Sequence, residues 1–172
     1  LWLGDLFLAD AKYEKALDQY RRGLEKTSDK RHRGRLLAAM AKALSATGNH
    51  KEAIGPLNQM LSTLEADTED NDADARFTAY KHLGEIYSRL GENEKAVVAF
   101  KRALEVKPKE TDPYGLQFEI AKAYQSIAPG KAQDVLNEIV ASGDPFWSKV
   151  AQARINEINV QQSVDRLGLN RS

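Results

Sequence analysis

Between residues 83 and 108 the apolar and small side chains fall on two short stripes separated by a polar turn. Leu83, Gly84 and Tyr87 stand at i, i+1 and i+4, a spacing that aligns them along one side of a helix. Beyond Gly91, the residues Ala96, Phe100 and Ala103 stand at i, i+4 and i+7 and do the same on a second helix, which Pro108 stops. Large and small residues therefore alternate on both stripes, and the small ones let two helix backbones approach closely. The same order recurs upstream as Leu3, Gly4, Phe7, Ala11, Ala16, Tyr20 and Gly23, and as Met40, Ala41, Leu44, Gly48, Ala53, Leu57 and Met60. Downstream it is Ile120, Ala121, Tyr124, Ala128, Ala132, Leu136 and Ile139, with one residue missing before Ala132.

Four copies of a two-helix unit are thus expected, with breaks at Thr47-Gly48-Asn49, Leu90-Gly91-Glu92 and Pro129-Gly130, where Gly can adopt the left-handed conformation that ends a helix. One hairpin cannot bury both of its stripes, so each copy needs a neighbour. A fifth, partial copy follows. Asp144 suits an N-cap and Pro145 a first helical position, and Trp147, Val150 and Ala151 repeat the first-helix register. Arg154 then stands where the other copies have Phe, Leu or Tyr, so residues 145–167 read as a capping helix and 168–172 as a frayed tail.

These residues resemble the tetratricopeptide repeat family. The 83–108 copy meets that family's pattern at its usual positions, with Tyr80 where Trp is often found; the Met40 copy matches less closely. The starts of the copies are 37, 43 and 37 residues apart, against a family period of about 34, so additions are expected in the second helices or the loops after them. The resemblance implies an all-α, right-handed superhelix with one repeat domain over 1–167, divided at about 1–30, 34–64, 77–108, 113–142 and 145–167. It also implies that first helices line a concave groove that receives peptides or partner helices. The side chains expected to point into it are Arg35, Lys42 and Ser45, then Lys81, Glu85 and Ser88, then Phe118, Lys122 and Gln125, with Asp5, Leu8, Ala38 and Thr78 beside them.

Within that set Asp5, Lys42, Glu85 and Lys122 occupy equivalent places and alternate in sign, which suggests a ladder of ion pairs between copies. Phe118 is the expected apolar anchor. The branch of the family that grips the acidic C-terminus of heat-shock chaperones uses paired Lys and Asn residues in the groove, and no Asn occurs among these positions. A free peptide carboxylate is therefore not the expected ligand.

Composition narrows the function further. The 172 residues are 42% hydrophobic and 29% charged, a balance suited to a thin layered structure. Twenty-five Lys and Arg meet 25 Asp and Glu, so no global field draws in a polyanion, and partner selection must come from local patches. Cysteine is absent, which removes disulfides and thiolate chemistry. The chain opens LWLGDLFLAD, with no initiator Met, no apolar run of membrane-spanning length and no basic segment before it, and reads as a piece of a longer protein. Leu1, Trp2, Leu6, Phe7 and Leu8 surround this first helix with more apolar surface than one neighbour would cover, so upstream residues of the longer protein are expected to pack here, and the fragment is expected to self-associate through this end.

Little in the chain suggests a reaction centre. His32, placed in the first loop between copies, His50 in a helix turn and His82 on a helix are not spaced as metal ligands, and neither a strained Gly-x-Ser-x-Gly turn nor a phosphate-binding glycine loop occurs. Segment 65–76 holds six acids, and Asp70-Asn71-Asp72-Ala73-Asp74 has a superficial likeness to a calcium loop without its Gly and closing Glu. Segment 21–35 holds seven Lys or Arg against two acids but no interleaved aromatic residues for bases.

The expectation is a non-enzymatic scaffold without cofactor, metal, nucleic acid or membrane insertion, binding a protein or peptide through the groove. The alternative is a regulatory or assembly module that packs against its own longer chain, in a bacterial cell-envelope complex for instance. Compartment is open, with bacterial cytoplasm and periplasm both compatible.

Overall fold

The computed structural model describes residues 1–65 and 72–167, and these are helices joined by short turns, with no strand among them. They are α1 (Trp2–Ala9), α2 (Tyr13–Lys26), α3 (Lys30–Ala46), α4 (His50–Glu65), α5 (Ala73–Arg89), α6 (Asn93–Val106), α7 (Tyr114–Ile127), α8 (Pro129–Ala141) and α9 (Trp147–Arg166). Two compact units emerge, Leu1–Thr111 and Asp112–Ser172.

In the first unit α1 packs on α2, α3 on α4 and α5 on α6, while α2 packs on α3 and α4 on α5 to join successive hairpins. The interior follows the predicted stripes. Ala16, Tyr20, Leu36, Ala43, Ala53, Leu57, Ala96 and Ala103 are fully buried, and Leu83, Ile86 and Phe100 nearly so. Close approach depends on glycine where an aromatic ring faces it. A Cβ on Gly4 would collide with the Tyr20 ring, and one on Gly84 would lie 2.5 Å from Cδ1 and Cε1 of Phe100. Between hairpins, a Cβ on Gly23 of α2 would come within 2.9 Å of Leu36 on α3. In the second unit α7, α8 and α9 pack around Ala121, Leu136, Ile139, Ala151 and Ile155.

Three of the hairpin turns are built alike. The amides of Lys12, Asn49 and Glu92 donate to the carbonyls of Phe7, Leu44 and Tyr87 at 2.8, 2.9 and 2.9 Å, and those of Ala11, Gly48 and Gly91 to Leu8, Ser45 and Ser88. This paired pattern closes a helix through a left-handed residue. Gly48 and Gly91 have φ of 80° and 72°, as anticipated, while Ala11 holds the same conformation at φ 56° in spite of its Cβ.

The fourth turn departs from expectation. Pro129 and Gly130 are not the break; Pro129 is the first residue of α8, where its missing N–H costs nothing, and Ala128 at φ −155° ends α7 and starts α8 at once. The residue missing from this copy is the left-handed one, so no glycine is required.

Some of the extra residues between copies fall where expected, in α4, which is longer than α2 and α6, and in residues 107–113 after α6, and others fall elsewhere. α3 and α5 start at Lys30 and Ala73, ahead of the anticipated 34 and 77, so part of the additions lengthens these first helices at their N-termini. Aspartates hold these starts. Asp29 accepts from the amide of His32 at 2.6 Å and Asp72 from that of Ala75 at 2.9 Å. His32 accordingly lies in the first turn of α3 and not in a loop. Asp144 accepts from the amides of Phe146 and Trp147, so it caps as predicted, although regular helix begins at Trp147 and not at Pro145. The tail 168–172 and most of the acidic segment, including Asp70 and Asn71, lie outside the described residues.

Candidate functional site

The first helices α1, α3 and α5 share one face of the first unit, and two recesses lie along it. One, of about 370 Å³, is bounded by Asp5, Leu8 and Ala9 of α1, Tyr13 at the start of α2, and Ala39, Lys42 and Ala46 of α3. The other, of about 360 Å³, is bounded by Ala41, Lys42, Ser45 and Ala46 of α3 and by His82, Glu85, Ile86 and Arg89 of α5. Lys42 and Ala46 belong to both, so the recesses adjoin across α3. Both are lined mostly by apolar surface, and the second, the charged recess, adds His82, Glu85 and Arg89 to Lys42.

Of the anticipated groove residues, Lys42, Ser45 and Glu85 line the charged recess, and Lys81 reaches Glu85 at 4.0 Å from one helical turn away. Ser88 is half-buried on α5. Arg35 is exposed on α3 and borders a third hollow, of about 440 Å³, against Met60, Leu64 and Asp72. The three candidates on α7 belong to the second unit and have partners there. Phe118 lies half-buried with its ring centroid 6.0 Å from that of Trp147, Lys122 pairs with Glu119 at 2.9 Å, and the Gln125 side-chain carbonyl accepts from Arg154.

The anticipated ladder takes another form. Asp5 accepts a hydrogen bond from the Tyr20 hydroxyl at 2.8 Å, and Glu85 and Lys122 find opposite charges on their own helices. No ion pair joins Lys42 to Asp5 or to Glu85 among the described residues. Burial and the neighbouring Asp5 push the Tyr20 phenol well above the usual range, so it remains a donor.

His82 and Arg89 border the charged recess although the sequence reading left them out. They stand four residues after Thr78 and Glu85, one helical turn further along the same face of α5. Burial lowers the His82 imidazole below its ordinary pKa; Glu85 opposes this and Lys81 and Lys42 reinforce it, so the ring is neutral at pH 7. No group of three or more His, Asp or Glu that could hold a metal occurs among the described residues. Nor is any described helix long and apolar enough to cross a membrane.

The family profile described as tetratricopeptide repeat matches residues 77–110, which contain most of α5 and all of α6. Residues 77–110 are a tetratricopeptide repeat. The solved structures that resemble the chain include the nearly identical TPR-like repeats of a candidate kinesin light chain from Podosopora anserina, at 20% identity and a TM-score of 0.74, covering 96% of this chain and 88% of that one. A singly substituted form of the same repeats gives 19% identity and a TM-score of 0.73, with 98% and 89% covered. At such identities the likeness concerns fold, and it agrees with an all-helical tetratricopeptide-type repeat. No curated protein matches this chain in sequence. Tetratricopeptide repeats generally mediate protein–protein interaction.

Proposed function

We propose that the chain is a non-enzymatic scaffold that receives a peptide segment of a partner protein on the α1, α3 and α5 face of its first unit. The observation that carries this reading is the pair of adjoining recesses that meet at Lys42. Recesses lined by apolar surface and a few charged groups offer both a place to bury a side chain and groups that fix its orientation. The helices beneath are pinned by buried contacts such as Gly84 on Phe100, so the receptor has little freedom to lose and the cost of ordering falls on the ligand. Phe118 and Gln125 are occupied within their own unit, and the proposal therefore centres on Lys42, Ser45 and Glu85.

The test is selection of random peptides displayed on phage against the intact chain and against Lys42→Glu/Ser45→Trp, with helicity checked by circular dichroism. Peptides retained by the first and lost by the second support the reading. Peptides retained equally by both place the interface elsewhere.

One observation favours a second reading, packing of this end against more of its own chain or a second copy. Trp2, Leu3 and Leu6 are 78%, 40% and 47% exposed. The counterparts of Leu3 and Leu6, Leu83 and Ile86 on α5, a helix that packs on the preceding α4, are buried. α1 thus exposes a stripe that later first helices bury.

A further inference from the structure

We propose that the α3–α5 recess accepts a carboxylate side chain, so that the segment received on this face is an acidic peptide held through internal Asp or Glu residues. This rests on the groove reading above and narrows its ligand.

The charges on this face are unequal in their commitments. Both carboxylates are engaged: Asp5 accepts the Tyr20 hydroxyl hydrogen bond at 2.8 Å, and Glu85 has the Lys81 ammonium 4.0 Å away. The cations that border the recess are not engaged. Lys42 on the α3 wall and Arg89 on the α5 wall form no ion pair among the described residues. The recess therefore holds two uncommitted cations against a single carboxylate that a third cation already neutralises.

That imbalance discriminates among ligands. A carboxylate entering between the walls meets an ammonium, a guanidinium and the Ser45 hydroxyl, and bonds of this charge-assisted kind are the stronger ones. An ammonium or guanidinium from the ligand would add to Lys42, Lys81 and Arg89. An apolar side chain would meet Ala41, Ala46 and Ile86 but would strip water from Lys42 and Arg89 without returning a partner to either. The walls also exclude part of the solvent that screens exposed pairs, as the desolvation of His82 indicates. Recognition through an internal side chain needs no free C-terminus, which fits the missing Asn residues of the C-terminal clamp.

The phage selection separates this inference from the reading it rests on. Displayed peptides have no free C-terminus, and the pool retained by the chain should be enriched in Asp and Glu. A retained peptide, synthesised with an amidated C-terminus and followed by fluorescence anisotropy, should bind about tenfold more weakly to Lys42→Glu or Arg89→Glu, and should lose affinity similarly when its acids become Asn and Gln. The double reversal Lys42→Glu/Arg89→Glu should select Lys- and Arg-containing peptides instead. Both residues are exposed and unpaired, so these variants should keep the parent helicity and melting temperature. A pool without acidic enrichment that is still lost on Lys42→Glu overturns the carboxylate assignment and leaves the groove standing. A pool indifferent to Lys42 and Arg89 overturns both.

Discussion

Gly84 on α5 faces the ring of Phe100 on α6 so closely that a single added carbon would lie 2.5 Å from two ring atoms. Gly4 and Tyr20 stand in the same relation in the first hairpin, whereas the equivalent places in the second and fourth copies hold Ala41 with Leu57 and Ala121 with Leu136. Glycine accompanies an aromatic residue and alanine accompanies leucine, so the combined volume between paired helices stays similar.

A coupling follows from this. Gly84→Ala gains helix propensity but overpacks the hairpin, with an expected net loss of about 1–3 kcal/mol. Phe100→Leu alone should also destabilise by leaving space. Combining the two recreates the alanine–leucine pair of the other copies and should cost less than the sum by about 1 kcal/mol or more. Urea unfolding of the four proteins measures the cycle, and strict additivity would show that the two residues do not share this space.

At the α1–α2 turn Ala11 sits at φ 56°, exposed, where two other copies use glycine. Left-handed backbone costs a residue with a Cβ about 1 kcal/mol, part of which glycine returns through its freer unfolded chain. Ala11→Gly should therefore raise stability by about 0.5 kcal/mol, and Gly91→Ala should lower it by about the same amount. Opposite shifts in the urea midpoint are the expected result.

Stability should depend on His82 with a definite sign. Its folded pKa is lowered from 6.5, chiefly by burial, so on acidification the unfolded chain takes up this proton first. The His82 contribution is thus present above pH 6.5 and declines as pH falls through that value towards the lower folded pKa. His82→Gln should flatten the stability profile between about pH 7 and 5, leaving the carboxylate contributions that act at lower pH. Unchanged slopes in denaturant titrations across that range would count against the assignment.

The exposed Trp2, Leu3 and Leu6 lead to concentration-dependent association of the isolated chain. Light scattering over a concentration series should show growth in mass that Trp2→Ser/Leu6→Ser abolishes. A chain that stays monomeric throughout would remove this surface as a self-association site.

Much of the hairpin fold was legible because its determinants repeat at i, i+1 and i+4 and can be compared copy against copy. The added turns of α3 and α5 were hidden, since residues 30–33 and 73–76 are mainly polar or small and carry no apolar stripe, and only Asp29 and Asp72 mark their starts. Pro129-Gly130 misled because a proline at a first helical position and one in a turn look alike in sequence. At the site, helical spacing named Lys42, Ser45 and Glu85, which border the recess, but not His82 and Arg89, which stand one turn further along the same face. Trp147 packs on Phe118 from another helix, a contact about which local periodicity carries no information.

The central claim is that unit 1 meets its partner on the first-helix face. Its most direct measurement is the backbone-amide NMR footprint of a selected peptide titrated onto the chain. Perturbations grouped on residues 42–46 and 82–89 are the predicted result. Perturbations confined to α2, α4 and α6, with those segments unmoved, would contradict it.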